Sequence, residues 1–179
     1  MIMKTLETTR LLLRKITSTD MNNIQKLVTD DDVTALLDWD TSPSQNDNQH
    51  FLATLLQKYT QSNVAWAILL KETDEFIGVI EFSDYRHEEK ITDMHCVIAK
   101  QYWRNDYASE ATQAIIRYGF SELKLERIQA SYFAENIRSE RVLQKAGLFY
   151  EGTQRHGKFA KGRYHDIKLY AILRSDLGY

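Results

Sequence analysis

Apolar residues recur along the chain in two rhythms, and the change from one to the other divides it. Residues 10–15 (RLLLRK) form a short apolar run bounded by charge and read as a first strand. Ser18, Thr19 and Asp20 offer a cap for a helix running to about Val28, with Ile24, Leu27 and Val28 on one face. Asp30, Asp31 and Asp32 break it as a solvated turn. Residues 39–44 (WDTSPS) hold the single proline and form another turn. Ser44 caps the next helix, where Phe51, Leu52, Leu55, Leu56 and Tyr59 make an apolar stripe suited to the core.

From residue 64 onward the period shortens. Residues 64–70 (VAWAILL), 76–84 (FIGVIEFSD) and 91–99 (ITDMHCVIA) read as three strands joined by the polar turns KETDE and RHEEK, an antiparallel meander. Residues 101–120 (QYWRNDYASEATQAIIRYGF) begin as a loop and turn into a helix with Tyr107, Ala111, Ala114, Ile115 and Tyr118 on one face. A strand at 127–133 (RIQASYF) follows, then a helix over 136–146 ending at Gly147 as a left-handed cap. Two last strands, about 149–155 and 164–173, flank a basic loop. The order predicts an α/β fold: a mixed, mostly antiparallel seven-stranded sheet with helices on both faces. The strand–helix–strand unit around 91–133 supplies one parallel pair. No repeat, low-complexity tract or linker interrupts the chain, which predicts one domain over residues 1–179.

Composition narrows the classes of partner. Net charge is −2, so neither a nucleic acid nor a membrane surface is called for. Cys96 is the single cysteine, which excludes an intrachain disulfide and a cysteine-rich metal site, and no metal is expected. The opening MIMKTLETTR lacks the apolar core of a signal peptide. No apolar run approaches the ~20 residues that span a bilayer, and a reducing cytoplasm is the expected location.

Several stretches, in order, resemble the GNAT family of N-acetyltransferases, in particular the branch that acetylates N-termini of ribosomal proteins. They are TTRLLLRKITSTD, WDTSPS, IGVIEF, YWRNDYASEA, LKLERIQASYFAENIRSERVLQKAGLFYEG and RYHDIKLYAIL, together spanning about residues 8–173. The tract 125–152 is the most specific. The resemblance implies a V-shaped split between the fourth and fifth strands, acetyl-CoA lying in it, and acetyl transfer to a primary amine; a homodimer is also implied. The cofactor-binding positions it implies are Cys96, Val97 and Ile98 on the fourth strand, Trp103 to Ser109 at the loop, and Asn136 and Ser139 on the later helix.

One departure stands out. Where the family has two loop glycines, this chain has Arg104 and Asp106 within Trp103, Arg104, Asn105, Asp106, Tyr107, Ala108 and Ser109. Main-chain amides at a helix N-terminus hold phosphate without any glycine side chain, and Asn and Asp tolerate left-handed backbone, so Asn105-Asp106 is a geometric substitute. Arg104 adds a cation. The Asp106 carboxylate would repel a pyrophosphate unless it turns outward, or it simply caps the helix. The altered loop also admits a second function: a degenerate member that binds CoA or a protein partner without catalysis.

Acetyl transfer from a thioester needs a neutral amine, a donor for the developing oxyanion and a proton for the leaving thiolate. The resemblance points to amides at a bulge near Val97 and Ile98 as the donor. Asp93 and His95 share one face of their strand and are candidate bases, with Glu81 on the neighbouring strand; each is equally an ordinary strand residue. Ser139 is the candidate acid and Asn136 its support, although both also suit a helix N-cap and first turn. Tyr170 or Tyr164 is the alternative acid. Cys96 faces away from His95 and reads as a small buried residue rather than a nucleophile. Trp39, Glu81 and Tyr170 are the candidate acceptor-binding residues. Residues 155–165 (RHGKFAKGRYH) read as a solvated hairpin loop.

Overall fold

The computed structural model describes residues 3–37, 53–55, 57–59, 61 and 64–178. Its centre is one mixed sheet in the order β1-β2-β3-β4-β5-β6-β8-β7. The strands are β1 (Leu6–Glu7), β2 (Leu11–Lys15), β3 (Ala65–Leu70), β4 (Phe76–Arg86), β5 (Ile91–Ile98), β6 (Arg127–Phe133), β7 (Phe149–Ala160) and β8 (Arg163–Leu173). The helices are α1 (Met21–Val28), α2 (Asp31–Thr34), α3 (Tyr107–Ser121) and α4 (Ile137–Lys145). Seven strands were expected; the eighth is the two-residue β1, too short to leave a periodic signal. All neighbours pair antiparallel except β5 and β6.

Alternation along the strands sends side chains to two cores. Trp66 and Ile68 of β3 join Ile115 and Phe120 of α3 on one face. Ala65, Ala67 and Leu69 pack with Ile24, Leu27 and Val28 of α1 on the other, beside Leu55 and Tyr59 in helical backbone. Small alanines on that second face let the helices approach closely. Phe51, Leu52 and Leu56, and the turn at 39–44, lie outside the described residues.

Three local expectations change. Asp30 does not merely break α1: its side chain accepts from the Asp32 and Val33 amides at 2.9 and 3.3 Å and starts α2. The basic segment 155–165 is not a loop, because β7 and β8 continue through it to a two-residue turn at Lys161-Gly162. Both turn residues have positive φ (52° and 76°), as a type I′ hairpin requires. Asp20 makes no side-chain cap on α1. It turns back instead to take the Arg14 guanidinium at 2.8 Å on each oxygen and the Thr17 amide at 2.8 Å.

Burial alone would raise the Asp20 carboxyl; the Arg14 and Thr17 hydrogen bonds outweigh it and hold the group below the usual carboxylate range. A depressed folded value means the stabilisation is complete above the unfolded carboxyl's pKa of ~3.9 and is lost as pH falls through the folded one. Asp20→Asn should cost about 2–3 kcal/mol in urea unfolding at pH 7. The gap between variant and wild type should narrow once the pH drops below about 4.

Candidate active site

The one parallel pairing is short. β5 and β6 are in register only at Ile91↔Arg127, Thr92↔Ile128 and Asp93↔Gln129. Beyond Asp93 each strand follows its outer neighbour: β5 stays on β4 through Gly78↔Ile98, and β6 stays on β8 through Phe133↔Ile167. The inner edges part, and residues 94–98 and 130–133 line a cleft of about 1290 Å³ closed by the α3 and α4 N-termini. That exceeds the ~300–1,000 Å³ of a typical small-ligand pocket.

The parted edge of β5 carries main-chain donors with no acceptor among the described residues. Ala99 N–H donates to Ile77 C=O at 2.9 Å. Counting back along the antiparallel ladder, Val97 and His95 turn their amides to β4, while Cys96 and Ile98, beyond the last parallel bridge at Asp93↔Gln129, turn theirs toward the cleft. The Ile98 carbonyl on that edge accepts the Trp103 indole N–H at 2.8 Å. The expected bulge at Val97 and Ile98 is absent: register is unbroken from Gly78↔Ile98 to Ser83↔Asp93 and shifts only between Ser83 and Arg86. Strand divergence, rather than a bulge, frees the amides, and they belong to Cys96 and Ile98 rather than Val97.

The loop before α3 keeps glycine-like backbone without glycine. Arg104 (φ 66°) and Asp106 (φ 61°) are both left-handed, a conformation costing a side-chain-bearing residue about 1–2 kcal/mol. Asn105 was expected to share this role and does not; its amide donates to the Tyr102 and Trp103 carbonyls at 3.2 and 3.1 Å and ties the loop down. Asp106 holds the N-cap position of α3 but gives no side-chain cap. Its carboxylate pairs with Lys145 at 2.6 Å, at the far end of α4. The first amides of α3 therefore remain open toward the cleft. Nearby, the Arg138 guanidinium stacks 3.8 Å from the centre of the Trp103 ring. The buried Thr112 hydroxyl in the cleft wall has no partner among the described residues.

Charge in the lining favours an anion. Lys100, Arg104, Arg138, Arg141, Lys145 and Lys158 face Asp32 and Asp106, and each of those carboxylates is already paired with a lysine (Lys100–Asp32 and Lys145–Asp106, both 2.6 Å). An uncapped helix N-terminus, an orphaned hydroxyl and a net cationic wall suit a ligand bearing phosphates.

On the other flank, Asn136 caps α4 by accepting the Ser139 amide at 3.2 Å, and α4 ends at Gly147 (φ 93°) with Leu148 N–H donating to Leu143 C=O at 3.0 Å. Asn136 and Ser139 both line the cleft, as do His95, Cys96, Val97, Ile98, Trp103, Arg104, Tyr107, Ala108 and Ser109. Burial pushes the Cys96 thiol up to about 12, which removes it as a nucleophile at neutral pH. Other sequence candidates fall elsewhere. Asp93 sits at the closed vertex of the V. Glu81 is buried beside the cleft, with Lys58 donating to it at 3.0 Å. Tyr170 is outside the lining, its hydroxyl donating to Glu140 at 3.0 Å and accepting from Gln144 at 3.2 Å. Tyr164 is exposed on the hairpin. Trp39 lies outside the described residues. Arg138, Thr112 and Lys145 were not singled out beforehand; nothing local in their sequence marks them, since only the packing of α4 against the loop assembles them.

A mixed sheet split at its one parallel pair, beside a helix that presents open amides to a cationic cleft, defines an acetyltransferase of the GNAT class. Residues 10–148 match the acetyltransferase (GNAT) domain, and the chain belongs to that family. The chain is similar to YoaA, an uncharacterised N-acetyltransferase of Bacillus subtilis, at 32% identity over 170 residues, 94% of this chain and 96% of that one. A GNAT-family acetyltransferase structure from Bacillus anthracis superposes with a TM-score of 0.82 at 28% identity, covering 96% and 99% of the two chains. The spermidine N-acetyltransferase of Vibrio cholerae, solved with CoA and spermine, shares the fold at a TM-score of 0.81 and 21% identity, covering 94% and 98%. The matched proteins also include a putative ribosomal N-acetyltransferase.

Proposed function

We propose that this acetyltransferase moves an acetyl group directly from acetyl-CoA to a primary amine, either a free peptide or protein N-terminus or a small amine such as a polyamine. The observation that supports this best is the pair of parted inner edges, with unspent amides on β5 beside the open N-terminus of α3. Acetyl-CoA brings the activated acyl group and the phosphates. Arg104 and the first amides of α3 hold those phosphates. The Cys96 and Ile98 amides face the thioester carbonyl and the charge that develops on its oxygen. His95 takes the proton of the incoming amine, and Ser139, fixed by Asn136, protonates the departing sulfur. The domain acts as one unit, in the cytoplasm; a homodimer is in keeping with the open edge of β7.

Calorimetry with acetyl-CoA, followed by turnover against a panel of polyamines, amino acids and peptides with free N-termini, tests the proposal. Ser139→Ala should lower turnover by about tenfold or more while leaving acetyl-CoA affinity unchanged; an unaltered rate would dismiss Ser139 as the acid. Binding without turnover of any amine would favour a non-catalytic CoA binder, a reading prompted by the two missing loop glycines. The retained left-handed backbone at Arg104 and Asp106 weighs against it.

A further inference from the structure

Glu81 is 5% exposed: Oε1 accepts from Lys58 Nζ at 3.0 Å, and Oε2 is buried with no partner among the described residues. A buried carboxylate oxygen without a hydrogen bond costs on the order of 1–3 kcal/mol or more, so its position needs a reason. In register directly across the sheet stands His95, on the same face, exposed and lining the cleft. Directly opposed residues of an antiparallel pair have Cβ atoms about 5 Å apart, within reach of a glutamate and an imidazole. Two residues along the same face, the Ser83 hydroxyl is also buried without a partner among the described residues, opposite Asp93. A buried acceptor behind an exposed imidazole is the arrangement in which a carboxylate orients a base and stabilises its charged form.

We propose that Glu81 is a positioning residue that acts through His95, its free oxygen taking the ring N–H as His95 collects the acceptor's proton. This deepens the acetyl-transfer reading and rests on it. The incoming ammonium loses one proton to the imidazole, whose positive charge Glu81 offsets. The neutral amine then forms the new N–C bond, the C–S bond breaks with its electron pair leaving on sulfur, Ser139 gives that sulfur its proton, and the second amine proton restores the Ser139 hydroxyl. Atoms and charge balance without any further reactant. Among the described residues, the charged and titratable groups around the pair are Glu81 from β4, Asp93 on the same strand as His95, Lys58 and the buried Tyr59 hydroxyl from the helical residues 57–59, Asp32 of α2 across the cleft, and Arg127 of β6 beside Asp93. Of the carboxylates among them, Glu81 alone is both directly opposite the ring and buried.

Glu81→Gln keeps the shape and removes the charge. It should lower kcat about tenfold with the KM for acetyl-CoA unchanged, and move the acid limb of kcat/KM to lower pH, because the imidazolium loses its counter-charge. Lys58→Met, which removes the competing cation, should move that limb the opposite way. Nitrogen NMR of the His95 ring, read with neither acetyl-CoA nor amine present, should show one dominant tautomer in wild type and a mixture in Glu81→Gln. A Glu81→Gln variant that changes only the KM for the amine, with the acid limb in place, would overturn the proposal. If Glu81→Gln does not fold, an acid limb unmoved in Lys58→Met overturns it as well. The NMR comparison needs no turnover, so it separates failure of this coupling from failure of the acetyl-transfer reading.

Discussion

Lys145→Ala should weaken acetyl-CoA binding about tenfold or more, and Asp106→Gly should strengthen it. The two residues stand at opposite ends of their helices, Asp106 at the start of α3 and Lys145 at the end of α4, joined at 2.6 Å in the cleft wall where the proposed function places the phosphates. The Asp106 carboxylate is the one feature of the loop that opposes an anion. Two unit charges ~6 Å apart interact by about 3 kcal/mol at an effective dielectric of 20. Both groups are more than half exposed, so solvent and salt reduce this to about 1–2 kcal/mol, roughly five- to thirtyfold in Kd. Lys145 now cancels that repulsion; without it the carboxylate faces the phosphates bare. Asp106→Gly removes the repulsion, frees Lys145 for the phosphates and relieves the left-handed strain. An exposed pair of this kind contributes little to stability, so the ion pair opens cheaply when a phosphate competes for the lysine. Calorimetry at two salt concentrations checks the pair of variants: the differences should shrink as salt rises. Equal affinities for wild type and Lys145→Ala at low salt would refute the account.

Gly78→Ala should destabilise the fold by about 3 kcal/mol or more, lowering Tm on the order of 10 °C for a chain of this length. A Cβ built on Gly78 lies 2.2 Å from the Val97 carbonyl oxygen and 3.0 Å from Ile98 Cα. These are backbone atoms of β5, so no side-chain rotation can relieve the clash; β4 and β5 must separate. The separation falls where β5 forms the cleft wall, and acetyl-CoA affinity should drop along with stability. Gly119 of α3 is a useful contrast, because an added Cβ there meets chiefly the ends of the flexible Ile128 and Leu125 side chains. Thermal unfolding of Gly78→Ala within a degree or two of wild type would show that the two strands give way more easily than their packing implies.

Much of the candidate site's local geometry is legible in the sequence because it depends on local rules. Asn136 and Ser139 occupy an N-cap and first turn that their side chains dictate, and Gly147 closes α4 in the left-handed conformation its lack of a Cβ permits. The loop at Arg104 and Asp106 was legible as a place needing left-handed backbone, although Arg104, rather than Asn105, adopts it. What misled the reading were contacts across the chain. Asp20 reads as a cap until Arg14 is seen beside it, six residues back but across a strand–helix corner. Tyr170 reads as a free acid until Glu140 and Gln144 claim its hydroxyl.

The order of apolar runs, the hairpin turns and the caps determined by themselves the seven longer strands, the helices α1, α3 and α4, the mixed sheet and its single parallel pair, since each follows from periodicity and backbone preference within about ten residues. Tertiary structure alone decided where that parallel pair ends, which amides it leaves open, and which charges meet across it. Those depend on β5 holding to β4 while β6 holds to β8, a competition between pairings far apart in the chain that no local pattern encodes.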